Sequence, residues 1–262
     1  MPFSCFPLQS RRQHERWAVF PVLALSLALA LAGCGSTKQA RSISASGFLG
    51  DYSQLKPAAG SADDPLLIYA NTGADCRQYK ALQIDPVTLW AKADGSSFAK
   101  LEPADRAMLT GEFEKALREA AAKAGFPVVE AAGPGVLRVR AALTEAEKSN
   151  VMMKEASIVA PYASGAATVW AESKGQALFT GDAAFEVEVL DSLSGDRLYA
   201  AADKRVGKMD PRNYHAWDDV KDSIKVWSER AVKRLVNCRA TGSFALSPQE
   251  KSFSDKIDKY MP

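Results

Sequence analysis

The sequence predicts an α+β domain: a mainly antiparallel sheet of four to five strands, two long helices packed on one face, and a short C-terminal helix. Three observations point there. A short apolar run at 66–69 reads as a strand, and apolar residues alternate with polar ones near 81–90, 136–143 and 185–206, which is the period of a half-buried strand. Two longer segments, near 103–124 and 217–237, repeat apolar residues three and four apart, as amphipathic helices do. The order is strand, strand, helix, strand, long insert, strand, strand, helix. That order suits helices layered on one side of an antiparallel sheet.

Residues 1–33 are set aside from this reading. Arg11, Arg12 and Arg16 precede an uncharged run from Trp17 to Ala32, and small residues follow. A basic start, a short apolar stretch and a small-residue cleavage site make a secretory signal. The run falls short of the roughly 20 residues of a permanent membrane span, although an uncleaved anchor is the alternative. Leu31-Ala32-Gly33-Cys34 resembles a bacterial lipobox, with Cys34 as the lipid-modified first residue of the mature chain. Gly35 stands where a retaining aspartate would keep such a protein in the inner membrane of enteric bacteria, so the outer membrane, facing the periplasm, is expected.

Cleavage changes the charge. The whole chain has 33 basic and 31 acidic residues; the leader takes three arginines and Glu15 with it, leaving thirty of each. A neutral mature chain lacks the basic footprint of a nucleic-acid binder. Export also puts cytosolic nucleotides out of reach, and no Gly-x-Gly-x-x-Gly is present. With Cys34 lipidated, Cys76 and Cys238 remain as a pair in an oxidising space, so a disulfide is expected, with two separate buried thiols as the alternative. His215 is the single histidine after the leader and no Cys-x-x-Cys occurs. No metal site or other cofactor is expected.

Residues 34–46 are small and polar and read as a flexible tether; 47–262 read as one domain. Phe48, Leu49, Tyr52 and Leu55 fall on helical spacing before Pro57. They either pack on the domain or dock a partner. Leu66 to Tyr69 is a strand ended by Asn71-Thr72-Gly73. Ala81 to Trp90 is an edge or bulged strand, because Pro86 removes a backbone donor within it. The first helix opens at Pro103 and Asp105. It aligns Leu109, Phe113, Leu117, Ala120 and Ala124, and stops at Gly125. Gly133-Pro134-Gly135 turns into a strand from Val136 to Leu143, where Arg138 and Arg140 would face water. Residues 148–176 form an irregular insert with Met152, Met153, Tyr162 and Trp170 among small residues; long inserts in compact domains are often functional. Phe185, Val187 and Val189 alternate with Glu186 and Glu188, also expected to be wet. Asp191 to Asp196 supplies a hairpin turn, and a calcium loop is the weaker reading. The second helix opens with Asp218 and Asp219 and buries Val220, Ile224, Trp227, Ala231 and Leu235. Ser247-Pro248-Gln249-Glu250 is a capping box for a last short helix with Phe253, Ile257 and Tyr260.

Four stretches also carry a family likeness: the lipobox at Cys34, Gly47-Phe48-Leu49 to Pro57, Tyr79 to Val87, and Glu186 to Gly195 with Trp217 to Val220. With these in this order, the chain resembles a bacterial lipoprotein family filed as domain of unknown function 3313. The resemblance implies an envelope lipoprotein and assigns no catalytic residue.

The function expected is a non-enzymatic binding or assembly factor. It would be held to the membrane by its lipid and would meet an envelope protein through Phe48, Leu49, Tyr52 and Leu55, through Met152, Met153, Tyr162 and Trp170, or both. An envelope hydrolase or small-ligand binder using carboxylates is the first alternative, and it requires a concave pocket with two converging acids. A structural spacer is the second. No Gly-x-Ser-x-Gly elbow accompanies His215, so that residue is expected at the surface.

Overall fold

The computed structural model describes residues 37–58, 64–91, 98, 101–151, 180–208 and 215–244, all within the compact unit Ser36–Pro262. In chain order its elements are β1 (Thr37–Gln39), β2 (Lys56–Pro57), β3 (Leu67–Ala70), a 3-10 turn (Cys76–Gln78), β4 (Ala81–Ile84) and β5 (Thr88–Leu89). There follow α1 (Pro103–Lys123), β6 (Val136–Glu147), β7 (Asp182–Asp191), β8 (Arg197–Gly207) and α2 (Asp218–Thr241).

The eight strands form one mixed sheet in the order β2-β3-β8-β7-β6-β4, with β1 beside β8 and β5 beside β6. The expected four-to-five-stranded, mainly antiparallel sheet with a bare second face is therefore corrected. β4 and β5 run parallel to β6, pairing Ala81 with Val136 and Thr88 with Ala142. Parallel neighbours need a long crossover, and α1 provides it. Pro86 is the reason one expected strand becomes two: the Asp85 N–H still donates to the Val139 carbonyl at 3.0 Å, but Pro86 lacks an N–H, and strand pairing resumes at Thr88. The long strands β6, β7 and β8 are antiparallel, with a register shift between Leu143 and Glu145.

One face of the sheet holds the main core. Leu109, Phe113, Leu117 and Ala121 of α1 and Val220, Ile224, Trp227 and Leu235 of α2 are buried there. The Phe185 ring of β7 lies 4.4 Å from Trp227 and 6.1 Å from Phe113, centroid to centroid. The helix ends match their signals. Gly125 takes φ +69° after α1, and Gly242 takes φ +92° after α2, where a side chain would be strained. α2 runs past the expected Asn237, so Cys238 lies in its last turn. Cys238 is bonded to Cys76, with Cα atoms 5.4 Å apart.

The polar stretch expected as a tether over 34–46 is also corrected. Thr37, Lys38 and Gln39 pair with Gly207, Val206 and Arg205. Arg205 donates from Nε to Thr37 Oγ1 at 2.9 Å and from Nη2 to the Thr37 carbonyl at 3.0 Å. Two residues, Gly35 and Ser36, separate Cys34 from this strand. The expected C-terminal helix lies outside the described residues.

Candidate functional site

The second sheet face was expected to be wet, with Arg138, Arg140, Glu186 and Glu188 in water. It is covered. Glu186 is 0% and Glu188 3% exposed, because residues 46–55 cross over them as a strap. The strap is two tight turns rather than a helix: the Gly50 N–H donates to the Gly47 carbonyl and the Leu55 N–H to that of Tyr52. Phe48 and Leu49 are buried against Ala142 and Ala200 of the sheet, with Tyr52 and Leu55 packed alongside, half-buried. As partner contacts, Phe48 and Leu49 are therefore corrected. Their apolar surface is already spent on the chain's own sheet.

Beneath the apolar contacts lies a set of committed charges. Tyr52 donates its hydroxyl to Glu186 Oε2 at 2.5 Å, and the Ser46 N–H donates to Oε1 at 2.9 Å. The same Tyr52 oxygen accepts from the Gly47 and Leu49 N–H groups at 2.8 and 3.3 Å. Burial, then the hydrogen bond to Glu186, holds the Tyr52 hydroxyl above the ordinary tyrosine range. Glu188 accepts from Arg140 Nη1 on one oxygen and from Arg197 Nε on the other at 3.0 Å. Arg197 also donates to the carbonyls of Leu49 and Asp51 at 2.6 and 2.9 Å, so it rivets the strap to Glu188. Asp85, in the gap made by Pro86, takes a two-pronged contact from Arg138 at 2.8–3.1 Å. Arg140 lies 5.3 Å from the centre of the Phe48 ring, and Phe48 meets Trp90 edge-on at 5.6 Å. Farther along the same face Lys204 reaches Glu145 at 2.5 Å and Asp182 at 3.0 Å. Burial alone would lower the Lys204 ammonium pKa, but the two carboxylates outweigh it and the net direction is upward.

At the open end of β6, β7 and β8, a second buried acid gathers backbone. Asp219, 1% exposed at the start of α2, accepts from Ser149 Oγ at 2.6 Å and from the Gly181 N–H at 3.0 Å. Ser149 Oγ accepts from Gly181 N–H at 2.8 Å. Ser149 is the second residue of the insert and Gly181 lies just past its expected end, and Asp219 clasps the two together. Gly207 is required here: a Cβ on it would sit 2.3 Å from the Asp219 carboxyl carbon. At the opposite end, Tyr79 donates to Asp191 Oδ2 at 2.8 Å, and Asp191 Oδ1 accepts from the Leu193 and Ser194 N–H groups at 2.9 Å. The Ser194 N–H foremost holds Asp191 below the usual carboxylate range, against its partial burial. One Asp191 oxygen is thus spent on the turn and the other on Tyr79.

Of the remaining expected residues, Cys34, Met152, Met153, Tyr162 and Trp170 lie outside the described residues. His215 is exposed. Two cavities between α2 and the sheet, lined by residues such as Leu82, Val187 and Leu235 or Asp64, Tyr199 and Trp227, measure about 20 Å³ each, room for about one water. One sequence signal marks the strap's ladder. Glu-x-Glu on one strand and Arg-x-Arg on its neighbour pair opposite charges across the ladder, as Arg140 and Glu188 do.

The stretches that carried the family likeness meet one another here, as Tyr52 on Glu186 and Tyr79 on Asp191. A family model described as "Protein of unknown function (DUF3313)" matches residues 44–231. The chain belongs to this family. It is also 31% identical over 128 residues to an uncharacterized lipoprotein, YdcL, of Escherichia coli, in strain K12 and in O157:H7. That match covers 49% of this chain and 56% of the relative, so the chain spans little more than half the length of the curated relatives it matches. Two crystal structures of a PelC dodecamer from Paraburkholderia phytofirmans align at TM-scores of 0.34 and 0.35, with 12% and 11% identity, over 62% of this chain and 95% of theirs. A likeness that loose carries no argument here.

Proposed function

We propose that this family member is a lipoprotein of the bacterial envelope, attached through Cys34 to the outer membrane on its periplasmic side, and that it works by binding as a non-enzymatic assembly factor. The lipobox, the family and the lipoprotein relative support the anchor. One observation supports binding over hydrolysis: the buried carboxylates Glu186 and Glu188, on the same face of β7, are committed to the strap and to two arginines. A carboxylate shut away from solvent and already held by such donors is badly placed to take a proton from a substrate. With Phe48 and Leu49 used internally, partner contact falls to Met152, Met153, Tyr162 and Trp170.

The test is made in cells. The full-length protein should take up an alkyne palmitate analogue and fractionate with the outer membrane, and Cys34→Ser should do neither. Photo-crosslinkers at Met153 and Trp170 should capture the same envelope protein, whereas one at Lys115, exposed on α1, should not. Equal labelling of Cys34→Ser would refute the anchor. Capture of nothing at Met153 and Trp170, with function surviving their replacement by serine, would refute the binding role.

A further inference from the structure

The geometry points to a fixed stance on the lipid surface: the end of the sheet where β1 begins faces the bilayer, and the β7–β8 hairpin turn faces away from it. This rests on lipidation of Cys34 as proposed above.

The argument starts from chain length. Thr37 is paired in the sheet opposite Gly207, and three residue spans separate its Cα from that of Cys34. Fully extended, they reach about 11 Å. The end of the body that holds Thr37 therefore stays within that distance of the acylated residue. The same end carries the close of β6 at Glu147, the start of β7 at Asp182, the close of β8 at Gly207 and the start of α2 at Asp218. It is a rigid end. The Gly207 N–H donates to the Gly181 carbonyl at 2.8 Å and the Ser149 N–H to that of Ala216 at 2.8 Å.

The opposite end is far away by two independent measures. β8 spans Arg197–Gly207, on the order of 35 Å at about 3.3 Å per residue. α2 spans Asp218–Thr241, also on the order of 35 Å at about 1.5 Å per residue. Their far ends carry the Asp191–Asp196 turn and the Cys76–Cys238 bond.

The body has little reason to lie on its side. Among the described residues, Trp90 and Leu193 are the exposed large hydrophobics. One lies beside the strap and the other at the hairpin tip, so they do not make a shared flank. The helix flank presents Glu112, Lys115, Lys225 and Glu229, which keep their hydration best away from the bilayer.

The test uses the lipidated full chain. With Cys34 acylated and Cys76 bonded to Cys238, Lys208→Cys or Leu193→Cys supplies a single free thiol for a fluorophore. Each labelled protein is floated with vesicles of phosphatidylethanolamine and phosphatidylglycerol that carry a headgroup quencher. The expected result is several-fold stronger quenching at position 208 than at 193, with neither quenched in the unlipidated Cys34→Ser background. Equal quenching, or stronger quenching at 193, in proteins that float overturns the stance while leaving the anchor intact. Proteins that fail to float overturn the anchor, and the stance with it.

Discussion

Replacing Tyr52 with phenylalanine tests the strap at its centre. The ring stays and the hydroxyl goes. Glu186 then loses its 2.5 Å donor while remaining 0% exposed, and keeps only the Ser46 N–H. A hydrogen bond to a charged group contributes about 1.5–3 kcal/mol, and a buried acceptor left short costs a similar amount. The Gly47 and Leu49 N–H groups also lose their acceptor, but Gly47 is near the surface and can turn to water, so they add little. The expected loss is about 2–3 kcal/mol. Urea unfolding at pH 7 of the soluble Cys34→Ser chain measures it, with the denaturant slope unchanged. Glu186→Gln and the double variant close a cycle, and the two changes should be less than additive by at least about 1 kcal/mol. Tryptic cleavage after the exposed Arg41 should quicken in Tyr52→Phe, because the strap anchors that stretch. A loss under about 0.5 kcal/mol, or full additivity, would mean that the hydroxyl does not hold the strap.

Gly207→Ala should cost about 1–3 kcal/mol, the range for overpacking, since its Cβ would fall 2.3 Å from the Asp219 carboxyl carbon; thermal unfolding should drop by several degrees. Reducing the disulfide, or Cys238→Ser with Cys76→Ser, should cost about 2–4 kcal/mol, because the bond closes a separation of 162 residues; urea curves with and without reductant read it. Alkaline pH should loosen the fold. Tyr52 and Tyr79 are both raised above the ordinary value of 10.0, by burial first and then by Glu186 and Asp191. Their contribution is intact below about pH 10, the unfolded value, and fades as pH rises towards the folded values. The fall in stability above about pH 10 should be shallower in a Tyr52→Phe, Tyr79→Phe protein. Phe185→Ala should lose about 3–5 kcal/mol, since its ring meets both Phe113 and Trp227.

The parts of this fold that were legible are those whose signals are local. The α1 stripe from Leu109 to Ala120, the stop at Gly125, the Asp191–Asp196 turn and the α2 stripe all act within a few residues. The Cys76–Cys238 pair was legible from compartment and parity. What escaped depends on partners far along the chain. β1 and β2 are three and two residues long, too short to show a period, and Thr-Lys-Gln looks like any polar linker until Arg205 is beside it. The parallel pairing of β4 and β5 with β6 leaves no mark on either strand alone. The strap was hidden by an ambiguity of alternation. Glu186 and Glu188 follow the period of a half-wet strand whether their carboxylates meet water or meet Tyr52, Arg140 and Arg197. Only the partner decides, and each partner lies on another element.

The Asp219 clasp has a consequence for change over time and for engineering. Ser149 and Gly181 are joined through one buried carboxylate, at 2.6 and 3.0 Å, so these two residues, 32 apart in the chain, form a closed neck. Closing a loop across a fixed neck grows harder only slowly, by about 0.6 kcal/mol for each doubling of its length. The neck therefore works as a socket. A foreign binding loop could be grafted at the same two residues.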